Sequence, residues 1–245
     1  MSDKILEVSD LQIRYVTDEQ TVRAVNGVSF TLERGESIGL VGETGAGKTT
    51  TLRSVVGILQ FDAGEITIGG KSIRTDPIAC KRELAYIPDN PDLYDYMTGI
   101  RYLNFIADIF GVSSEVRGQR IHDYAARFEL TDDLAQPIAA YSHGMKQKLA
   151  IISAWLHQPR LIIMDEPFVG LDPKASHLLK GMMREFCDAG GAIFFSTHVL
   201  EVAEKLCDKV AIIRGGKLIR SGTMEEVKGD DSLEEVFLEL EGESC

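Results

Sequence analysis

The sequence predicts an α/β fold: a parallel-sheet core, an antiparallel β-subdomain and an inserted α-helical subdomain. Three observations carry this reading. First, Ser37-Ile38-Gly39-Leu40-Val41 is a short apolar run with strand character. It leads into the glycine-rich stretch Gly42-Glu43-Thr44-Gly45-Ala46-Gly47-Lys48-Thr49, after which Leu52, Val55, Val56 and Leu59 recur at helical spacing. Second, Leu161–Met164 and Ala192–Ser196 are apolar without alternation, as strands covered on both faces are. Third, between about Thr98 and Trp155 the texture turns helical.

Taken in order, residues 5–41 read as β. Leu6, Val8, Leu11 and Ile13 keep a short-strand rhythm, and Val28 to Leu32 alternates with period two. Glu33-Arg34-Gly35-Glu36 is a turn. A helix covers Thr50 to Leu59, and Glu65–Ile68 is a strand bracketed by glycines. Ala85-Tyr86-Ile87 is another strand, stopped by Pro88. Tyr102, Phe105, Ile106 and Ile109 form one apolar stripe, and Ile121, Tyr124, Ala125 and Phe128 a second, with Thr98 and Ser113 as N-caps. After Leu161–Met164 come a helix from Pro173 to about Cys187, the strand Ala192–Ser196 and a helix from Val199 to Leu206. A hairpin then turns at Gly215-Gly216, and helical pieces at Thr223–Val227 and Ser232–Leu240 follow. The whole chain, 1–245, reads as one domain, with the helical subdomain at about 90–158 and a helical tail at about 223–245.

The glycine-rich stretch fits G-x-x-x-x-G-K-[ST] in the strand–loop–helix context the motif requires. Such a loop wraps a polyphosphate with its N–H groups, and the new helix adds its positive dipole end. Gly42, Glu43, Thr44, Gly45, Ala46, Gly47, Lys48, Thr49 and Thr50 are therefore the candidate nucleotide-binding residues. Lys48 is placed to reach the β/γ-phosphates and Thr49 to ligate Mg²⁺. Asp165-Glu166 ends the apolar strand at Met164, where an open parallel sheet binds its ligands. One acid there can hold Mg²⁺ while the other polarises water for attack on a γ-phosphate.

Composition narrows the partners. The net charge of −12 argues against a nucleic-acid interface and against adhesion to anionic lipid. No apolar run approaches the ~20 residues of a membrane span, and the N-terminus has no signal-peptide pattern. A cytoplasmic location is expected, without direct membrane insertion. The four cysteines, Cys80, Cys187, Cys207 and Cys245, are scattered and read as free thiols.

From Leu6 to Leu240 the chain resembles the nucleotide-binding subunit of an ABC transporter. The glycine-rich loop resembles Walker A, with Thr44 where Asn or Ser is more usual. Met164-Asp165-Glu166-Pro167 resembles Walker B plus the catalytic glutamate, Gly170-Leu171-Asp172-Pro173 the D-loop, and His198 the switch histidine. Tyr15 matches the aromatic that stacks on adenine. Tyr141-Ser142-His143-Gly144-Met145-Lys146-Gln147 is similar to the LSGGQ signature, keeping Ser142 and Gly144 and departing at Tyr141, His143 and Met145. Asp89 stands where the family has the Q-loop glutamine.

The resemblance implies a P-loop NTPase (RecA-like) core that binds ATP and Mg²⁺ and hydrolyses ATP. It implies catalytic roles for Glu166 and His198, metal contacts from Thr49, Asp89 and Asp165, and nucleotide contacts from Tyr15 and from Ser142, His143, Gly144 and Met145. Two copies would sandwich two ATP head to tail and drive a separate membrane-spanning subunit, held at the inner face of the cell membrane. The variant signature and the segment Ser232–Leu238 resemble export or multidrug systems. A soluble ABC ATPase acting on a ribosome or on DNA is the alternative. Such proteins usually join two nucleotide-binding units or carry long coiled-coil or basic insertions, and this acidic chain has one copy of each motif.

Overall fold

The computed structural model describes residues 3–16 and 20–242; Cys245 lies outside them. The N-terminal β region forms two long antiparallel strands, β1 (Lys4–Val16) and β2 (Thr21–Glu33). Leu6, Val8, Leu11 and Ile13 are all buried although the spacing from 8 to 11 breaks strict alternation. A register shift between Val8 and Leu11, with Asp10 at φ 45°, turns the strand by one residue and restores the inward face.

The core strand β3 (Ser37–Val41) feeds the glycine loop and α1 (Lys48–Val55). The helix stops short of the expected Leu59. Gly57 takes φ 68°, and the N–H groups of Ile58 and Leu59 turn back to the Arg53 carbonyl. β4 (Ala63–Ile68), β5 (Lys71–Ser72), α2 (Pro77–Glu83) and β6 (Leu84–Ile87) follow. The short α2 has no apolar periodicity to announce it; only Cys80 of its residues is buried.

Next come the three helices of the helical region, α3 (Gly99–Ile109), α4 (Ser114–Arg127) and α5 (His143–Leu156). Thr98 and Ser113 cap the first two through their side-chain oxygens. Leu103, Ala107, Ile121, Ala125 and Phe128 pack with Leu149 and Ile152. The chain closes with β7 (Leu161–Asp165), α6 (Pro173–Asp188), β8 (Ala192–Thr197), α7 (Leu200–Leu206), β9 (Lys209–Arg214), β10 (Lys217–Thr223), α8 (Met224–Lys228) and α9 (Leu233–Gly242).

Two sheets result. One is antiparallel, in the order β2-β1-β4-β5; the other runs β10-β9-β3-β8-β7-β6, with β10 alone antiparallel to its neighbour. Every residue of β3, β7 and β8 is buried, which explains their unbroken apolar runs. Alternate residues serve different cores. Ile162, Met164, Ile193 and Phe195 pack towards the helical region, whereas Leu161, Ile163, Ala192 and Phe194 pack towards the antiparallel sheet. Because β3, β8, β7 and β6 are parallel, Gly42, His198, Glu166 and Asp89 all emerge at one edge.

Candidate active site

That edge opens into a cleft of about 560 Å³, well within the range of a small-molecule site. Tyr15, Glu43, Thr44, Gly45, Gly47, Lys48, Thr49, Thr50, Asp89, Glu166 and His198 line it. Gly42, Ala46 and Asp165 lie behind this lining, in contact with Lys48, Glu43 and Thr49 respectively. The loop needs glycine at two places for space. A Cβ on Gly42 would sit 2.3 Å from the Ile213 carbonyl oxygen, and one on Gly47, whose φ is 106°, would sit 2.5 Å from that of Ala24. The β9–β10 hairpin thus packs against the loop, and the Gly216 N–H donates to the Ala46 carbonyl at 2.9 Å.

Lys48 is 7% exposed. Its Nζ donates to the carbonyls of Gly42 at 2.6 Å and Glu43 at 3.0 Å, and lies 3.7 Å from Glu166 Oε1. The other Glu166 oxygen, Oε2, lies 3.0 Å from His198 Nδ1 and accepts from the His198 N–H at 3.4 Å. One carboxylate therefore spans the lysine and the histidine. Glu166 is held at φ 46°, an uncommon backbone for a residue with a side chain. Its N–H points at the Ser196 carbonyl and hydroxyl oxygens, at 3.2 and 3.1 Å.

The Ser196 hydroxyl donates to Asp165 Oδ1, while Asp165 Oδ2 is buried with no hydrogen-bond partner. Burial pushes the Asp165 carboxyl above the ordinary carboxylate range. The Ser196 and Thr49 hydroxyls oppose this shift, and the charges of Asp89 and Glu166 add to it. Thr49 thus sits near the carboxylate without completing a bond to Oδ2. An orphaned buried carboxylate oxygen beside a threonine hydroxyl suits a hard cation. Among the described residues no three His, Cys, Asp or Glu side chains form an all-protein metal cage. Mg²⁺ needs none, since it takes one or two carboxylates and completes its shell with phosphate and water.

Ser142, His143, Gly144 and Met145 do not line this cleft. Ser142 caps α5, its hydroxyl accepting from the Met145 N–H at 3.2 Å. His143 and Gly144 pack on Gly170, and Met145 packs against the helical-region core. Conversely, the lining includes Val22, Arg23, Ala24, Gly215 and Gly216, which sequence reasoning passed over as strand and turn. Val22 sits there because the β1–β2 register places it opposite Tyr15. Ser196, the shared partner of Asp165 and Glu166, read only as a strand end.

Comparison with known proteins gives the family. The family model described as ABC transporter matches residues 25–169. The ABC-type transporter ATP-binding protein EcsA of Bacillus subtilis (strain 168) is 36% identical over 246 residues, covering 98% of each chain. A solved ATP-binding subunit of an ABC transporter superposes with a TM-score of 0.91 at 36% identity, covering 97% of this chain and 99% of that one. A dimeric ATP-binding cassette in a post-hydrolysis state, bound to ADP and Pi, shares the fold with a TM-score of 0.82 at 20% identity, over 89% of this chain and 98% of its own. The chain belongs to the ABC transporter family and is one of its ATP-binding ATPase subunits.

Proposed function

We propose that this subunit closes head to tail with a second copy around two Mg-ATP and drives a separate membrane-spanning exporter subunit. One observation carries the proposal: the glycine loop, Glu166 and His198 share a cleft, while the capped start of α5 at Ser142 stands outside it. Each chain then holds two half-sites that face different nucleotides. No helix among the described residues is long and apolar enough to cross a membrane, so the membrane path belongs to a partner. The export direction rests on the likeness of the signature and of Ser232–Leu238 to export systems.

In this reading Tyr15, exposed beside Val22, stacks on the adenine, and the loop N–H groups with Lys48 hold the phosphates. Thr49 and Asp165, with Asp89 at the cleft wall, would hold Mg²⁺, which when bound neutralises phosphate charge. Glu166 takes the proton of the attacking water as general base. His198 orients the Glu166 carboxylate through Nδ1 and leaves its other ring nitrogen for the γ-phosphate. The Ser196 hydroxyl and carbonyl fix the Glu166 backbone.

A pair of mixed dimers tests the shared site. Ser142→Asp keeps a good helix cap and sets a carboxylate against the partner's γ-phosphate. Combine Lys48→Ala in one subunit with Ser142→Asp in the other, and both changes fall in one composite site, leaving the second intact. Put both in the same subunit, and each composite site is broken. ATP-dependent closure is expected only in the first arrangement. Equal behaviour of the two refutes the composite site.

A further inference from the structure

The contact between α5 and the loop leaving Glu166 coincides with a departure from the family signature. A Cβ on Gly170 would lie 2.3 Å from His143 Cδ2 and 2.8 Å from its Nε2. One on Gly144 would lie 2.7 Å from the Gly170 carbonyl oxygen. The imidazole therefore rests directly on backbone, at a residue whose φ is 80°. Two further contacts join the same pieces. Gln147 Nε2 donates to the Pro167 carbonyl at 3.4 Å, and Lys148 Nζ lies 2.8 Å from Asp172 Oδ2. The segment from Pro167 to Asp172 is thus strapped along the first turns of α5 at its beginning, middle and end. It begins at the residue after Glu166.

We infer that His143 is a positioning residue of the hydrolytic site and not a nucleotide ligand: its ring wedges on Gly170 and sets the path of the loop that places Glu166. The physical case is one of packing. The ring edge lies against Gly170 where both residues are exposed, so glycine at 143 would remove the contact and leave that side of the loop open to solvent and free to shift. The shape of the ring matters more than its nitrogens, since the ring carbon makes the nearer approach. The inference rests on the general-base role proposed for Glu166.

Steady-state ATP hydrolysis by the full chain, with KM and kcat separated, tests it. His143→Gly is expected to lower kcat about tenfold, the scale of a modest misplacement at a reacting centre, with KM for ATP within about twofold. His143→Phe keeps a ring on Gly170 and should restore kcat to within about twofold of the parent. Gly170→Ala should lower kcat at least as far as His143→Gly does, since at φ 80° alanine strains the backbone as well as meeting the ring, and the double variant should lose less than the product of the two, because the clash with the ring is relieved while the backbone strain stays. A rise in KM in both His143→Gly and His143→Phe with kcat intact would make the ring a nucleotide contact and overturn the inference. Parental kcat in Gly170→Ala would overturn it too, and does not depend on His143→Gly folding. Parental turnover in Glu166→Gln is a different failure, that of the general-base reading itself.

Discussion

Asp165→Asn is expected to make the nucleotide-free protein more stable while disabling it. Asp165 is fully buried, and one of its oxygens has no partner. A buried unsatisfied polar group costs about 1–3 kcal/mol, and more if charged. The amide removes the charge, keeps an oxygen for the Ser196 hydroxyl, and offers its N–H to Thr49. At about 2–4 °C per kcal/mol for a chain of this size, the gain in Tm is about 2–12 °C, read by thermal scan in chelator at pH 7.5. Adding Mg-ATP should narrow the gap sharply, and reverse it wherever the apo advantage is below what the parent gains. Saturation at a hundred times Kd stabilises the parent by about 2.7 kcal/mol, and the variant, lacking the carboxylate, should gain much less. The pH dependence has a definite sign. The folded pKa of Asp165 is raised above its ordinary value of 3.8. Its penalty is therefore absent below that value, grows as pH rises to the folded pKa, and is constant beyond it. The stability gap between variant and parent should open over that window. A lower Tm for the variant in chelator at pH 7.5 would refute the argument that this carboxylate is held at a cost until a cation arrives.

Two further outcomes follow from the cleft. Lys48→Ala removes the lysine that faces Glu166, along with charge-assisted bonds worth about 1.5–3 kcal/mol each; ATP affinity measured by calorimetry should fall by at least about a hundredfold. Glu166→Gln keeps the shape but loses the basicity and one of the two acceptor oxygens that face Lys48 and His198, so ATP binding should persist while turnover drops by about 10²–10⁴-fold, with dimers accumulating on ATP in light scattering.

Much of this was legible in the sequence because it is written locally. The glycine loop, Asp165-Glu166 and His198 each sit where a strand ends, and strand ends announce themselves by where an apolar run stops. The caps at Thr98 and Ser113 were readable for the same reason. What escaped depends on register and on close approach. That Val22 faces Tyr15, or that Gly216 presses on Ala24, follows from pairing between distant segments. The end of α1 at Val55 was missed because Gly57 stops the helix while the apolar spacing runs on to Leu59. That the His143 ring rests on Gly170 is likewise a matter of close approach, which no periodicity reveals.

The alternation of β7 and β8 between two cores has a consequence for how such a protein can diversify. The central sheet acts as a partition. Residues such as Met164 and Phe195 answer to the helical region, while their neighbours Ile163 and Phe194 answer to the antiparallel sheet and its cleft-lining strands. A change on one side of the partition is felt mainly on that side. The helical region can thus be remodelled while the strand ends that carry Gly42, Glu166 and His198 stay in place. Sequence drift on one face of the sheet leaves the chemistry on the other undisturbed.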